Sequence, residues 1–152
     1  MTKFKRGLAY ALGAVLVSST AFAGLTRPVV VDIDLDNNFA SGDMITARTA
    51  KDDDVFIGCG TRNVEDGNGG LFSWAFCQGE DEDGDAATCF TFNPDLVKTV
   101  REINDSSFVT FSWTDDGNGT LTCTRMGFST QSFYLGKRTK GNLKKKKKDD
   151  DD

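Results

Sequence analysis

Two sets of side chains in this sequence could do chemistry: four cysteines, Cys59, Cys77, Cys89 and Cys123, and two runs of closely spaced carboxylates. The cysteines are even in number, with 17, 11 and 33 residues between successive members. A four-cysteine metal site would show paired knuckles with short intervals, which these spacings lack, so two disulfides are the expected chemistry. No Cys-x-x-Cys pair is present to depress a thiol pKa, and a catalytic redox role is not expected.

The first carboxylate run is Asp32-x-Asp34-x-Asp36, with Asp43 at the twelfth position counted from Asp32. A calcium loop takes oxygen ligands at its first, third, fifth, seventh and twelfth positions, and these residues with the Asn38 carbonyl meet that pattern in part. Asn37 stands where the loop needs Gly, Asp43 where it needs the longer Glu, and no flanking helices are expected. The competing reading is a strand with an acidic exposed side. In the second run, Asp81, Asp83 and Asp85 alternate around Gly84. Their repulsion could be relieved by Ca²⁺ or by solvation of the loop. No other cofactor is implied.

The sequence has no His, which removes Ser-His-Asp and Cys-His nucleophiles, His-ligated zinc and an imidazole switch. A small carboxylate-dependent hydrolase would need two acids about 5–9 Å apart across a cleft. Residues 24–136 contain 19 Asp plus Glu with nothing to single out such a pair, and 113 residues leave little room for both a core and a deep cleft. An enzyme is therefore not the expected reading.

Export determines the redox setting of these cysteines. Lys3, Lys5 and Arg6 precede an apolar stretch from Gly7 to Val17, and Ala21-Phe22-Ala23 supplies the small-x-small cleavage pattern. Residues 1–23 read as a secretory signal, the apolar run being shorter than the ~20 residues that span a bilayer. The expected location is periplasmic or secreted, in a bacterium, where disulfides persist. No transmembrane segment is expected after cleavage.

Cleavage removes three basic residues and shifts the formal charge from −5 to −8. Residues 24–136 then carry 7 Lys plus Arg against 19 Asp plus Glu, a net −12, while residues 137–152 carry 8 positive and 4 negative charges, a net +4. An acidic body repels phosphate backbones, so nucleic acid is excluded as its partner and cations or basic proteins are favoured. The tail, Lys144–Lys148 followed by Asp149–Asp152, is low in complexity and is expected to stay outside the fold.

The elements that must position the cysteines are strands. Runs rich in Val, Ile, Thr, Phe and Trp alternate with clusters of Gly, Asn and Asp from Arg27 onward. Strands are expected over Val29–Leu35, Met44–Thr49, Val55–Arg62, Leu71–Gln78, Ser107–Thr114 and Leu121–Phe128. Val31, Ile33 and Leu35 fall on one side of the first. Glu65-Asp66-Gly67-Asn68-Gly69-Gly70 and Asp115-Asp116-Gly117-Asn118-Gly119 are tight-turn sequences that should close two hairpins. Centring the first on Asn68 sets Cys59 opposite Cys77 and Gly60 opposite Phe76, leaving Cys89 for Cys123. The same arithmetic about Asp83 sets Cys77 opposite Cys89. Both pairings stay open, with the first preferred. Phe56, Phe72, Trp74 and Phe76 read as core packing rather than a ligand platform. One segment, Asn93 to Ile103, has helical spacing, with Asn93 as cap and Pro94 in the first position.

The expectation is a single mainly β domain over residues 24–136, an antiparallel sandwich or partly open barrel with one short helix, stapled by disulfides. Its expected role is non-catalytic: an exported binding or assembly module, with protein partners or self-association. The alternative is an inhibitor of a basic exported enzyme such as a lysozyme, suggested by the acidic body.

Overall fold

The computed structural model describes residues 25–135; the expected signal sequence and the basic tail lie outside the described residues. In chain order the elements are β1 (Asp32–Asp34), β2 (Phe39–Asp43), α1 (Met44–Arg48), β3 (Phe56–Glu65), β4 (Leu71–Glu80), β5 (Ala86–Thr91), α2 (Pro94–Arg101), β6 (Phe108–Asp115) and β7 (Leu121–Ser129), with a closing 3₁₀ turn at Ser132–Tyr134. The seven strands form one sheet in the order β1-β2-β6-β7-β5-β4-β3. Every junction is antiparallel except β5–β7.

Turn chemistry places both expected hairpins. In the first, Asp66 Oδ1 accepts from the amides of Asn68 at 2.9 Å and Gly70 at 2.7 Å, closing the chain between β3 and β4. In the second, Asp115 Oδ1 accepts from Gly117 N at 2.8 Å. The register about Asn68 holds, with Cys59 opposite Cys77 and Gly60 opposite Phe76. The register about Asp83 holds as well, with Cys77 opposite Cys89.

The sheet curls until its two ends meet, giving a partly open barrel. The Ile33 amide of β1 donates to Asp81 Oδ2, just beyond β4, at 3.0 Å. A Cβ on Gly79 would lie 3.1 Å from Ile33 Cδ1 and 3.2 Å from the Phe56 carbonyl oxygen, so a side chain there would press on Ile33 where the two ends approach. α1 rests against β2 and β3 beside this seam. α2 packs on β3, β4 and β7, burying Val97 and Val100 in the concave core with Ala75, Cys77, Cys89, Val109, Phe111 and Trp113. Its start follows the sequence signal: Asn93 Oδ1 accepts from Asp95 N at 2.9 Å, and Pro94 occupies a position whose amide would be unpaired.

Four segments differ from expectation, the first being β5, a strand beyond those expected that pairs along its whole length with β4. Met44–Arg48, read as a strand from its Ile and Thr content, is a single helical turn because Asp43 caps it: Asp43 Oδ1 accepts from Thr46 N at 2.7 Å. The strand expected over Val29–Leu35 is reduced to β1. Val31 and Ile33 are buried as expected, but Leu35 is 47% exposed. Asp34 turns the chain just before it by accepting from Asn37 N at 2.9 Å and Asn37 Nδ2 at 2.7 Å. Finally, β2 forms from Phe-Ala-Ser-Gly-Asp, a composition with little strand preference, because it pairs along its whole length with β6.

Candidate functional site: an aromatic face on the convex side of the sheet

Strand alternation divides β4 into two sets. Ala75, Cys77 and Gly79 point into the core, so Phe72, Trp74 and Phe76 must project from the convex face. Phe90 of β5 joins them as the register partner of Phe76. Trp74 lies 5.8 Å from Phe76 and 5.7 Å from Phe90, and Phe76 lies 6.5 Å from Phe90, centroid to centroid. The rings are tilted by 41–52° to one another, the mutual packing that aromatic quadrupoles favour.

The rim of this cluster is built from β3 and the end of β5. Val64 pairs with Phe72, Phe92 directly follows β5, and Arg62 places its guanidinium 4.9 Å from the Phe76 centroid. A Cβ on Gly60 would meet Phe76 Cζ at 2.7 Å, so the missing side chain lets that ring lie on bare backbone. Phe72 is 48% exposed and Phe92 71%, while Trp74 and Phe76 are half-buried. The reading of Phe56, Phe72, Trp74 and Phe76 as core is thereby corrected: Phe56 and Phe72 are exposed, and all four lie on the side opposite the core. The signal was present in the sequence, since their parity is opposite that of the disulfide-bonded Cys77.

The cysteines are placed as the preferred pairing expected. Cys59–Cys77 joins β3 to β4 with Cα atoms 4.0 Å apart, and Cys89–Cys123 joins β5 to β7 at 5.0 Å. Pairing Cys77 with Cys89 would leave Cys59 and Cys123 three strand spacings apart, about 14 Å. That exceeds the reach of a disulfide.

The carboxylates have structural partners. Asp43 is 1% exposed and accepts from Val29 N at 2.7 Å, Thr46 N at 2.7 Å and Thr46 Oγ1 at 2.5 Å. Hydrogen bonds from the side chain and then the backbone of Asn37 hold the Asp34 carboxyl below its ordinary pKa. Asp81 organises its own loop, accepting from Asp83 N at 3.1 Å and Asp85 N at 3.0 Å on Oδ1 and from Ile33 N on Oδ2. Asp32, Asp36, Asp83 and Asp85 are exposed. Closure of the barrel brings members of the two runs to one place: Asp32, Asp81 and Asp83, with Glu82, line an open cleft of about 450 Å³ at the seam. Among the described residues no group of three His, Cys, Asp or Glu side chains converges as metal ligands would. Since Asp34, Asp43 and Asp81 already satisfy backbone donors, millimolar Ca²⁺ is expected to move the melting temperature by no more than about 1 °C. Thermal unfolding with and without EGTA measures this.

Among the described residues no helix is long and apolar enough to cross a membrane. The chain matches no family model, no curated protein and no solved structure.

Proposed function

We propose that the protein is a non-catalytic, exported β module that assembles with further copies of itself through the aromatic face. The observation that carries this reading is the uncovered ring cluster on a sheet whose other side already holds the core. With 150–250 Å² per aromatic side chain, the exposed fractions of Val64, Phe72, Phe90 and Phe92 and the half-buried Trp74 and Phe76 amount to roughly 450 Å² of apolar surface. That lies in the middle of the range for the largest patch on a typical monomer, about 300–600 Å², a patch that is often functional. Together with a polar rim it approaches the ~800 Å² per partner of a standard interface.

Charge favours the same occupant. Carboxylates dominate the rest of the body, yet the charged group lying over the cluster is Arg62. Two copies meeting face to face would bury rings against rings while their acidic surfaces point apart. Tilted rings with Arg62 stacked on Phe76 offer ridges for interdigitating side chains rather than a flat platform for a planar ligand. The two disulfides and the signal-like leader support action outside the cytoplasm.

Sizing by analytical ultracentrifugation across concentration tests this. A dimer with a Kd on the order of 10 µM is expected, unchanged or tightened by salt, because the contact is apolar and screening relieves repulsion between the acidic bodies. Phe72→Asp with Phe92→Asp should give a monomer whose melting temperature is nearly that of the parent, both side chains being exposed in the single copy. A parent that stays monomeric to millimolar concentration overturns the reading. So does association that is lost as salt rises, since that response belongs to a basic partner on the acidic seam.

A further inference from the structure

Three of the four cysteines form a row across adjacent strands, and the fourth, Cys123, lies on β7 two residues along from Leu121, the register partner of Cys89. Cys59 on β3 faces Cys77 on β4, Cys77 faces Cys89 on β5, and Cys89 is bonded to Cys123 on β7. Register partners in a sheet project from the same side, so all three facing residues share the core face. The two bridges therefore stand end to end, with Cys77 and Cys89 as the adjoining members. Their Cα atoms are separated by the ~5.5 Å or less of directly opposed residues. Exposure is graded among the four: Cys59 is only partly buried, whereas Cys77 and Cys89 are fully buried and Cys123 is 2% exposed.

We infer that these four cysteines form a thiol–disulfide exchange relay, in which an external low-molecular-weight thiol reacting at Cys59 is answered by release of a thiol at Cys123. The thiolate of the external thiol attacks Cys59 Sγ. A new S–S bond forms there, the Cys59–Cys77 bond breaks, and Cys77 leaves as a thiolate. Cys77 Sγ then attacks Cys89 Sγ, forming Cys77–Cys89 and expelling the Cys123 thiolate, which takes a proton from solvent. Thiol exchange proceeds by displacement at sulfur, with nucleophile, attacked sulfur and leaving sulfur in line. The fold supplies that order of attack, since Cys77 faces Cys89 in register and Cys89 is bonded to Cys123. One thiol is consumed and one is produced, so no further oxidant or reductant enters. The absence of a Cys-x-x-Cys pair in the sequence does not bear on this, because the exchanging sulfurs are neighbours across strands and not along the chain.

Treatment of the oxidised protein with about one equivalent of glutathione, followed by acid quenching, alkylation in denaturant and peptide mapping by mass spectrometry, tests the relay. The expected products carry glutathione on Cys59, a Cys77–Cys89 cross-link, and an alkyl label on Cys123 in an amount comparable with that on Cys77. Label on Cys77 with Cys89–Cys123 intact, and less than about one-tenth as much on Cys123, overturns it. Glutathione on Cys89 or Cys123 overturns it equally, since that marks direct attack on the inner bridge. A double variant, Cys89→Ala with Cys123→Ala, should hold all of the label on Cys77.

Discussion

Replacing Asp43 with Ala should lower stability by about 3 kcal/mol, because three donors lose a buried, charged acceptor at once. Val29 N, Thr46 N and Thr46 Oγ1 all converge on that carboxylate, which is 1% exposed. An N-cap alone is worth about 1 kcal/mol, and hydrogen bonds to a charged group about 1.5–3 kcal/mol. For a domain of this size the melting temperature should fall by roughly 10 °C or more. The damage should be local in origin: α1 loses its cap, and the segment before β1 loses its anchor to the end of β2. Asp43→Asn retains one acceptor oxygen but turns an NH₂ group toward another donor, so it should recover less than half of the loss. Urea unfolding of the three proteins measures this; an Asn variant as stable as the parent would show that the carboxylate charge contributes nothing.

Removing the inner disulfide should cost more than removing the outer one. Cys89–Cys123 closes a separation of 34 residues and Cys59–Cys77 one of 18, which on chain entropy alone gives about 3.8 against about 3.2 kcal/mol. Topology widens the gap. β3 and β4 are held by a ten-residue register and a well-formed turn, so the outer bridge reinforces a junction that survives without it. The β5–β7 junction is parallel and spans two register pairs, Cys89 with Leu121 and Phe90 with Thr122. It is where the β1-β2-β6-β7 half of the sheet meets the β5-β4-β3 half. Cys89→Ala with Cys123→Ala is therefore expected to lose roughly 4–5 kcal/mol and to flatten the unfolding transition as the halves uncouple. Cys59→Ala with Cys77→Ala should unfold in one step. Equal midpoints for the two double variants would contradict this account.

Much of the fold was legible because it is local. The two hairpins rest on Asp and Gly turn residues within a few positions of one another, and the β3–β4 register follows from its turn centre; the β6–β7 register follows its turn only to Trp113, where a bulge beside Ser112 shifts it by one residue. The helix after Asn93 announces itself by its cap, its proline and its apolar spacing. Both registers involving Cys77 could be read in advance, and they were compatible all along: one records a bond and the other only a facing pair. Two of the segments that differed from expectation depend on distant partners. β2 exists because β6 offers it a complete ladder, and Met44–Arg48 is helical because Asp43 is buried where it can cap and anchor together. The candidate site was half legible. The alternation of Phe72, Trp74 and Phe76 against Cys77 marks one side of a strand, but which side a second layer covers is settled only by where α2 packs.

The sequence by itself determined the class of fold, the positions of the two hairpin turns, the register about Asn68, the capped helix and the supply of four cysteines, since each follows from the preferences of a short stretch of chain. The tertiary structure decided the rest. It joined β5 to β7 in parallel, curled the sheet until Ile33 reached Asp81, gathered the two acidic runs at one seam, set the two disulfides beside each other through the facing pair Cys77 and Cys89, and left the aromatic side uncovered. These depend on contacts between residues far apart in the chain, and such contacts are selected by the burial of the whole core rather than by the preferences of any one segment.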